Sequence, residues 1–194
     1  KDPKVWYKGK LNFVDKEKRV LAFIAYLDPG IHINTDIVKP GDIKSMQDLL
    51  SPKWKGKIII NDPTIDGRGQ NFLKVATTKL GEDYIKQLAK QEPLLTRDMR
   101  QLADWVAKGR YPVGVGVFPD QYQEYKRAGA PITNLLLEDV SYLLSGAGNV
   151  GYMDKAPHPN AYRVFVNWLL SRKGQKVWQD IRVDQSARID MPVD

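Results

Sequence analysis

The chain contains no cysteine and only two histidines among its 194 residues. The absence of cysteine excludes disulfide bonds, thiolate metal sites and cysteine nucleophiles. The two histidines, His32 and His158, lie far apart in the sequence, and no Gly-x-Ser-x-Gly motif accompanies them. Nucleophilic catalysis therefore has no support in the sequence, and we expect a protein that is not an enzyme.

Apolar runs are short throughout the chain, and none approaches the ~20 residues that a membrane-spanning helix needs. Hydrophobic residues nevertheless make up 42% of the chain, which is enough for an ordinary core. The 30 basic side chains outnumber the 23 acidic ones, and the net charge of +7 favours anionic partners by long-range attraction. The densest basic stretch, Lys1–Arg19, lacks any nucleic-acid-binding motif, so we expect no nucleic-acid partner.

Short apolar runs alternate with helical periodicity from Lys57 onward, a pattern typical of a parallel or mixed sheet with crossover helices. The predicted strands are Lys57–Asn61, Leu94–Thr96, Tyr111–Phe118 and Ile132–Leu137. The predicted helices are Gly69–Leu80, a short one through Tyr84 and Leu88, one from Asp98 to Gly109, and Asp120–Arg127. Gly81 is the predicted stop of the first helix, and Asp98 with Gln101 three residues later forms a capping-box pattern that starts the third. Together they predict a doubly wound α/β unit with a mixed sheet.

Ligands of doubly wound sheets bind beyond the carboxyl ends of the strands. In this chain Asp62–Asn71, Arg97–Asp98 and Phe118–Gln121 each follow a predicted strand, so we expect them to share one edge of the sheet. The carboxylates on these segments could imitate an acid–base pair or a hard-metal site. Turn formation and helix capping are the favoured roles for them.

Two segments flank the predicted α/β unit. Arg19–Ile33 is predicted as one extended strand that enters the unit, and Ser145–Met153 as a Gly-rich strand that leaves it. An amphipathic helix follows Pro159, and its apolar stripe requires a partner surface. The stripe consists of Ala161, Val164, Phe165, Trp168 and Leu169. A unit entered by one strand and left by another, followed by helices that pack elsewhere, is the layout of a two-lobed hinge protein.

Four further stretches read NTDIV, DLLSPKWKGKI, QLADWVAKGRYPVGVG and APHPNAYRVFVNWLLSRKGQ. They occupy Asn34–Val38, Asp48–Ile58, Gln101–Gly116 and Ala156–Gln175, and the second is followed by Asn61-Asp62-Pro63. In this order they resemble the bacterial extracellular solute-binding proteins that serve ABC importers, a family that includes ferric-iron, polyamine and phosphonate binders. Ile43 and Met46 stand where the family often has proline and tryptophan, a difference that concerns the local turn.

The resemblance implies the fold of a type II periplasmic binding protein, in which two lobes joined by hinge strands close on a ligand. It implies that residues 1–33 are the remnant of a largely absent first lobe with the first hinge strand, and that residues 34–142 are the second α/β lobe. Residues 143–194 would be the return hinge strand and C-terminal helices that pack on the first lobe. It also implies a monomer that binds a small molecule or ion and docks on an inner-membrane ABC permease. The protein would be periplasmic, or lipid-anchored at the outer face of the cell membrane, with no cofactor and no resident metal.

The strongest candidate for ligand binding is the strand-to-helix loop before the helix Gly69–Leu80. Glycines there free backbone N–H groups at a helix N-terminus, an arrangement that favours anions, and Arg68 could add a bidentate contact. In the alternative interpretation, Asp66-Gly67 is only a tight turn and Arg68 is solvated. The candidate residues of this loop are Thr64, Asp66, Gly67, Arg68, Gly69 and Gln70.

The other candidate ligand-binding residues are Arg97, Asp120, Tyr122, His32, Asn34, Ser145 and Asn149. Arg97 follows the next strand, where it contacts either the ligand or a surface carboxylate. His32 and Asn34 on the incoming segment, and Ser145 and Asn149 on the return segment, could line a wall near the hinge. Packing of His32 and a local turn at Asn34 are the alternatives.

The identity of the solute is constrained by one difference from the ferric-binding members of the resembled family. Those proteins commonly place adjacent tyrosines just after the strand that corresponds to Tyr111–Phe118, where this chain reads Phe118-Pro119-Asp120-Gln121-Tyr122. An anion, or a metal bound with an anion, is therefore favoured over iron held by paired tyrosines. Two alternatives stay open: a ligand-sensing regulatory domain of the same architecture, although no helix-turn-helix is found, and a metal- or carboxylate-dependent enzyme.

Overall fold

The computed structural model of the protein describes residues 2–24, 26–28, 30–39, 41–137, 142–144, 148–182 and 185–192. Its strands are β1 (Asn12–Phe13), β2 (Val20–Ala22), β3 (Tyr26–Asp28), β4 (Ile31–Asn34), β5 (Ile58–Asn61), β6 (Leu94–Thr96), β7 (Val113–Val115), β8 (Ile132–Leu135), β9 (Tyr142–Leu144) and β10 (Asn149–Gly151). Its α-helices are α1 (Arg68–Leu80), α2 (Glu82–Ala89), α3 (Met99–Ala107), α4 (Pro119–Arg127), α5 (Pro159–Leu169) and α6 (Arg172–Arg182).

The chain divides into two compact units. One is continuous and comprises Asp28–Tyr142, and the other combines Lys1–Leu27 with Leu143–Asp194. The divisions fall within β3 and β9, which form a two-stranded sheet. The chain therefore passes into the continuous unit through one short strand and out of it through another.

The continuous unit is built on a five-stranded sheet in the order β6-β5-β7-β4-β8. Strand β5 is parallel to both β6 and β7, whereas β4 is antiparallel to β7 and β8. This confirms the predicted mixed α/β sheet. The prediction of one extended strand over Arg19–Ile33 is wrong, because this segment forms β2, β3 and most of β4, and β4 lies inside the sheet.

Helices cover both faces of this sheet. Ile58 and Ile60 lie in a core with Phe72 of α1, while Ile59 lies in a second core with Leu102 of α3. All three isoleucines of β5 are at most 3% exposed, as expected for a strand buried on both faces. Because β5 is anchored on both sides, the position of its last residue is fixed firmly.

The helix boundaries of the unit follow local sequence chemistry. Helix α1 ends at Gly81, whose φ of 83° is a backbone conformation that glycine adopts without strain. Asp98 caps α3 by accepting hydrogen bonds from the backbone N–H groups of Arg100 and Gln101. The reciprocal half of the predicted capping box is absent here, because the Gln101 side chain accepts a hydrogen bond from the Thr96 hydroxyl instead. These contacts fix α3 directly beyond the end of β6.

The discontinuous unit contains the antiparallel sheet β1-β2-β10 together with α5 and α6. Trp6, Phe23, Ile24 and Leu169 belong to its core. Of the predicted apolar stripe of α5, only Leu169 is buried in that core. Val164, Phe165 and Trp168 are 71%, 51% and 41% exposed, respectively. In the part of the chain that the structure describes, no helix has the length and apolar character needed to cross a membrane.

Candidate functional site

The carboxyl ends of β5 and β7 meet the N-terminus of α1 at one edge of the continuous unit. β5 ends at Asn61, and α1 starts at Arg68 after an N-cap at Gly67. The backbone N–H of Gly116, just after β7, donates a hydrogen bond to the carbonyl of Gly30, just before β4. Three segments distant in sequence are thus joined at the edge where ligands of such sheets bind.

Close backbone contacts at this edge require glycine. A Cβ atom on Gly69 would lie 1.8 Å from the backbone oxygen of Asn61, so no other residue fits without a shift of the helix. A Cβ atom on Gly116 would lie 3.0 Å from the Cβ of Asn61, and the φ of 84° at Gly116 also favours glycine. The first turn of α1 therefore rests directly on the end of β5.

The N-terminus of α1 presents backbone N–H groups at this edge. The Gly69 N–H donates a 3.2 Å hydrogen bond to Oδ1 of Asn61, whose residue is 1% exposed. The Asn71 N–H donates to the carbonyl of Gly67 and closes the first turn. The N–H groups at a helix start and the positive end of its dipole attract negative charge. The edge is therefore suited to a bound anion.

Arg68 lies beneath the surface at the start of α1. The residue is 8% exposed, and its guanidinium carbon lies 5.5 Å from the centre of the Phe118 ring. The alternative in which Arg68 is solvated is therefore wrong. Its charge adds to the positive field at the α1 N-terminus, and a direct contact with ligand stays a prediction.

Arg97 forms an ion pair on the neighbouring strand end. Its Nε donates to Oδ2 of Asp62 at 2.7 Å, and the Thr64 hydroxyl donates to Oδ1 of the same carboxylate at 2.7 Å. The hydrogen bond from Thr64, followed by that from Arg97, lowers the pKa of Asp62 to about 2. Of the two sequence interpretations, the structure shows the surface ion pair. Asp62 and Thr64 thus hold the loop before α1 to the end of β6.

His32 is buried inside the sheet rather than on an open wall. It lies in β4 opposite Gly114 of β7, is 3% exposed, and packs its ring 5.0 Å from the ring of Tyr122. The Tyr122 hydroxyl in turn accepts a hydrogen bond from Nζ of Lys126. Burial, together with the positive charge of Arg68, lowers the pKa of His32 to about 3. The imidazole is therefore neutral at physiological pH.

The remaining candidates lie in different places. Asn34 is at the far end of β4, where its side chain donates to the carbonyls of Val106 and Ala107 at the end of α3. It thus has a structural role away from the α1 N-terminus. Asp120 lies in the first turn of α4, exposed, and accepts a hydrogen bond from the Gln121 side chain.

The structure brings Gly67, Arg68, Gly69 and Gln70 together at the start of α1 and sets Thr64 in the loop before it. Asp66 is exposed in that same loop, and the Gln70 side chain accepts a hydrogen bond from Lys74 one turn further along. Asn149 belongs to the other unit, where it pairs with Ala22 of β2, and Ser145 lies outside the described residues. No group of three or more His, Cys, Asp or Glu side chains capable of holding a metal ion occurs among the residues that the structure describes.

Sequence reasoning missed Asn61 and Gly116 as parts of this edge. Asn61 is a polar residue that directly follows a fully buried apolar strand and precedes a glycine-containing loop. The sequence predicts Asn61 only as the last residue of the strand Lys57–Asn61, and Gly116 only as part of the strand Tyr111–Phe118. A buried strand that ends in an amide side chain, eight residues before a helix glycine, is the signal that could have identified it.

Comparison with protein families gives a match that covers most of the chain. The model described as bacterial extracellular solute-binding protein matches residues 14–180. An uncharacterized protein from Haemophilus influenzae is 29% identical over 157 residues, which is 76% of this chain and 44% of that protein. The chain therefore spans less than half the length of this curated relative.

Solved structures share the fold at low sequence identity. The periplasmic binding protein AfuA from Actinobacillus pleuropneumoniae, solved with exogenous fructose-6-phosphate bound, is 24% identical with a TM-score of 0.69 and covers 90% of this chain and 57% of its own. The ferric binding protein from Campylobacter jejuni is 16% identical with a TM-score of 0.69, and the match covers 94% of this chain and 61% of that protein. A two-component system protein described as mediating signal transduction is 20% identical with a TM-score of 0.71, covering 99% and 63%.

Proposed function

Because the chain belongs to the bacterial extracellular solute-binding proteins, we propose that it forms part of the component that captures a solute for an ABC importer. It binds its solute as a monomer and does not catalyse a reaction. It works outside the cytoplasmic membrane, either free in the periplasm or held by a lipid anchor. Its partners are a small solute and an inner-membrane permease, and nucleic acid is not among them. The solute is held between two lobes, of which the unit Asp28–Tyr142 is one.

The observation that carries this proposal is the α1 N-terminus at the carboxyl edge of β5 and β7. Backbone N–H groups, the helix dipole and the buried charge of Arg68 all favour negative charge at this place. Two aspartates lie in the loop before α1: Asp62 forms an ion pair with Arg97, and Asp66 is exposed to solvent. We propose that the solute presents an anionic group here, such as a phosphate or carboxylate.

A thermal-shift screen tests the proposal, because a ligand that binds only the folded chain raises its melting temperature. The screen compares inorganic phosphate, sugar phosphates, phosphonates, carboxylates, polyamines and ferric ion at matched ionic strength. We expect a phosphorylated or carboxylated compound to raise the melting temperature, and polyamines to have no effect. Stabilisation by polyamines alone would contradict an anion site, and turnover of any compound would contradict a purely binding role.

A second candidate function is ligand sensing in a regulatory protein. The two-component system protein that shares this fold shows that the architecture is not confined to importers. Both functions require the same solute site, but they differ in the partner. Binding of the solute-loaded protein to an ABC permease in detergent or nanodiscs supports the importer, and binding to a sensor kinase instead supports the regulatory role.

We propose that, in a full-length protein of this architecture, the exposed stripe of α5 is covered by the first lobe. The stripe residues Val164, Phe165 and Trp168 are all more than 40% exposed. The family relative from Haemophilus influenzae is more than twice the length of the matched part. Amphipathic helices bury such a face against another surface.

Replacing Phe165 with aspartate tests this coverage. In the 194-residue chain the free energy of unfolding should change by less than ~0.5 kcal/mol, because the side chain is already exposed. In a full-length protein the same change should cost about 2 kcal/mol, because the ring is then buried. Arg163, also exposed on α5, provides the control: Arg163→Asp should leave the unfolding free energy of each protein unchanged. Equal effects of Phe165→Asp in both proteins would contradict the coverage.

A further inference from the structure

Only one of the two polar atoms of the Asn61 side-chain amide forms a hydrogen bond in the described structure. Its Oδ1 accepts the hydrogen bond from the Gly69 N–H, and this bond fixes the orientation of the amide plane. Its Nδ2 is buried and has no hydrogen-bond partner among the residues that the structure describes. A buried amide donor without a partner is unusual in folded proteins, and in a rigid site it requires an explanation.

Three glycines from two segments surround this amide. A Cβ atom on Gly67 would lie 3.0 Å from Oδ1 of Asn61, and one on Gly69 would meet the Asn61 backbone. Gly116 approaches from the end of β7, where a Cβ atom would lie 3.0 Å from the Cβ of Asn61. Glycine at these three positions supplies no side chain that could bond the free Nδ2 donor.

A structural role alone accounts for only one end of this amide. The bond to Gly69 requires only an oxygen acceptor, which an aspartate side chain also carries. Asparagine differs from aspartate only in the Nδ2 donor, and that donor is the atom left without a partner. The N–H donor that asparagine has and aspartate lacks therefore forms no hydrogen bond within the described structure.

We propose that Asn61 is a specificity-determining residue whose Nδ2 donates a hydrogen bond to an oxygen of the bound solute. This inference rests on the proposed function, since it assigns the recognised group at the same edge. An N–H group donates a hydrogen bond to an oxyanion such as phosphate or carboxylate, and it offers no ligand to a bare metal cation. The donor belongs to the same amide that accepts the hydrogen bond from the Gly69 N–H, so it lies next to the first turn of α1, where the positive end of the helix dipole favours an oxyanion.

Titration of the 194-residue chain with inorganic phosphate tests the proposal through its amide proton–nitrogen spectrum. The backbone signals of Gly69 and Gln70 and the side-chain NH₂ signals of Asn61 should shift with one dissociation constant. Acetate in a second titration distinguishes a tetrahedral from a planar oxyanion. In Asn61→Asp the acceptor for Gly69 is kept and the donor is replaced by a negative charge. The affinity of the folded variant for phosphate should fall by at least about 30-fold.

Asn134→Asp is the matched control, because it makes the same charge change at an exposed position of β8 in the same unit. It should reduce the phosphate affinity less than about twofold. If Gly69 and Gln70 respond while the Asn61 side chain does not, or if Asn61→Asp binds phosphate as the parent chain does, Asn61 has only a structural role and the inference is wrong. If none of these signals responds to phosphate or acetate, the anion site of the proposed function is wrong as well. The NH₂ signals of the parent chain decide the question even where Asn61→Asp does not fold.

Discussion

Replacing Gly69 with alanine should destabilise the unit Asp28–Tyr142 by about 3 kcal/mol. The added Cβ would lie 1.8 Å from the backbone oxygen of Asn61, an atom that belongs to a strand buried on both faces. The backbone of β5 cannot shift without disturbing the packing on both of its faces. Helix α1 must therefore move away from β5, which breaks the Gly69–Asn61 hydrogen bond. Alanine elsewhere in a helix is more favourable than glycine by roughly 0.5 to 1 kcal/mol, so the expected sign is opposite to that of helix propensity.

Hydrogen exchange of the amides of Ile59 and Ile60 measures this effect, because these protons lie in β5 and report on opening of the unit concerned. Gln70→Ala is the matched control, one residue further along the same turn. Its side chain bonds only the exposed Lys74 in the described structure, so the change should stay within about 0.5 kcal/mol. Equal protection in Gly69→Ala and Gln70→Ala would mean that α1 does not rest on the end of β5.

The elements that the sequence predicted well are those whose stability is local or strongly patterned. The three isoleucines of β5, the glycine that ends α1 and the aspartate that caps α3 each act within a few residues, and the structure confirms all three. The sequence does not predict β4 as a separate strand of the sheet, because four residues carry too little periodicity to set it apart from the extended segment before it. Its position depends on pairing with β7 and β8, which lie about 80 to 100 residues away in the sequence.

The candidate site shows the same limit. The loop before α1 could be found because glycine at a helix start has a recognisable pattern, whereas the partners of Arg97 and His32 could not. Arg97 could equally have faced a ligand or Asp62, and the choice depends on where two strand ends lie relative to each other. His32 alternates with isoleucines in a strand whose both faces are covered, so the fold rather than the residue decides that it is buried.

The free energy of unfolding should fall steeply with acid because of His32. The pKa of this imidazole is lowered from 6.5 to about 3, first by burial and second by the charge of Arg68. Below pH 6.5 the imidazole of His32 is protonated in the unfolded chain but stays neutral in the folded chain, so acid favours unfolding. The loss should approach about 1.4 kcal/mol per pH unit and reach about 4 to 5 kcal/mol near pH 3.

The window from about pH 6 to about pH 4.5 isolates this histidine, because carboxylates with lowered pKa values, such as that of Asp62, lose their stabilising effect only below their ordinary range near pH 4. His32→Phe keeps an aromatic ring against Tyr122 and removes the titrating group, so its unfolding free energy should be nearly flat across the window. His158→Gln removes the other, exposed histidine and should keep the steep slope.

Parallel curves of unfolding free energy against pH for the parent chain and His32→Phe would show that His32 is not buried as a neutral side chain.

The neutral state of His32 also bears on the proposed anion site. Because His32 stays neutral down to about pH 3, the positive field at the α1 N-terminus comes from Arg68 and the helix itself. Any change in anion affinity between pH 5 and 8 should therefore follow the protonation of the solute rather than that of His32.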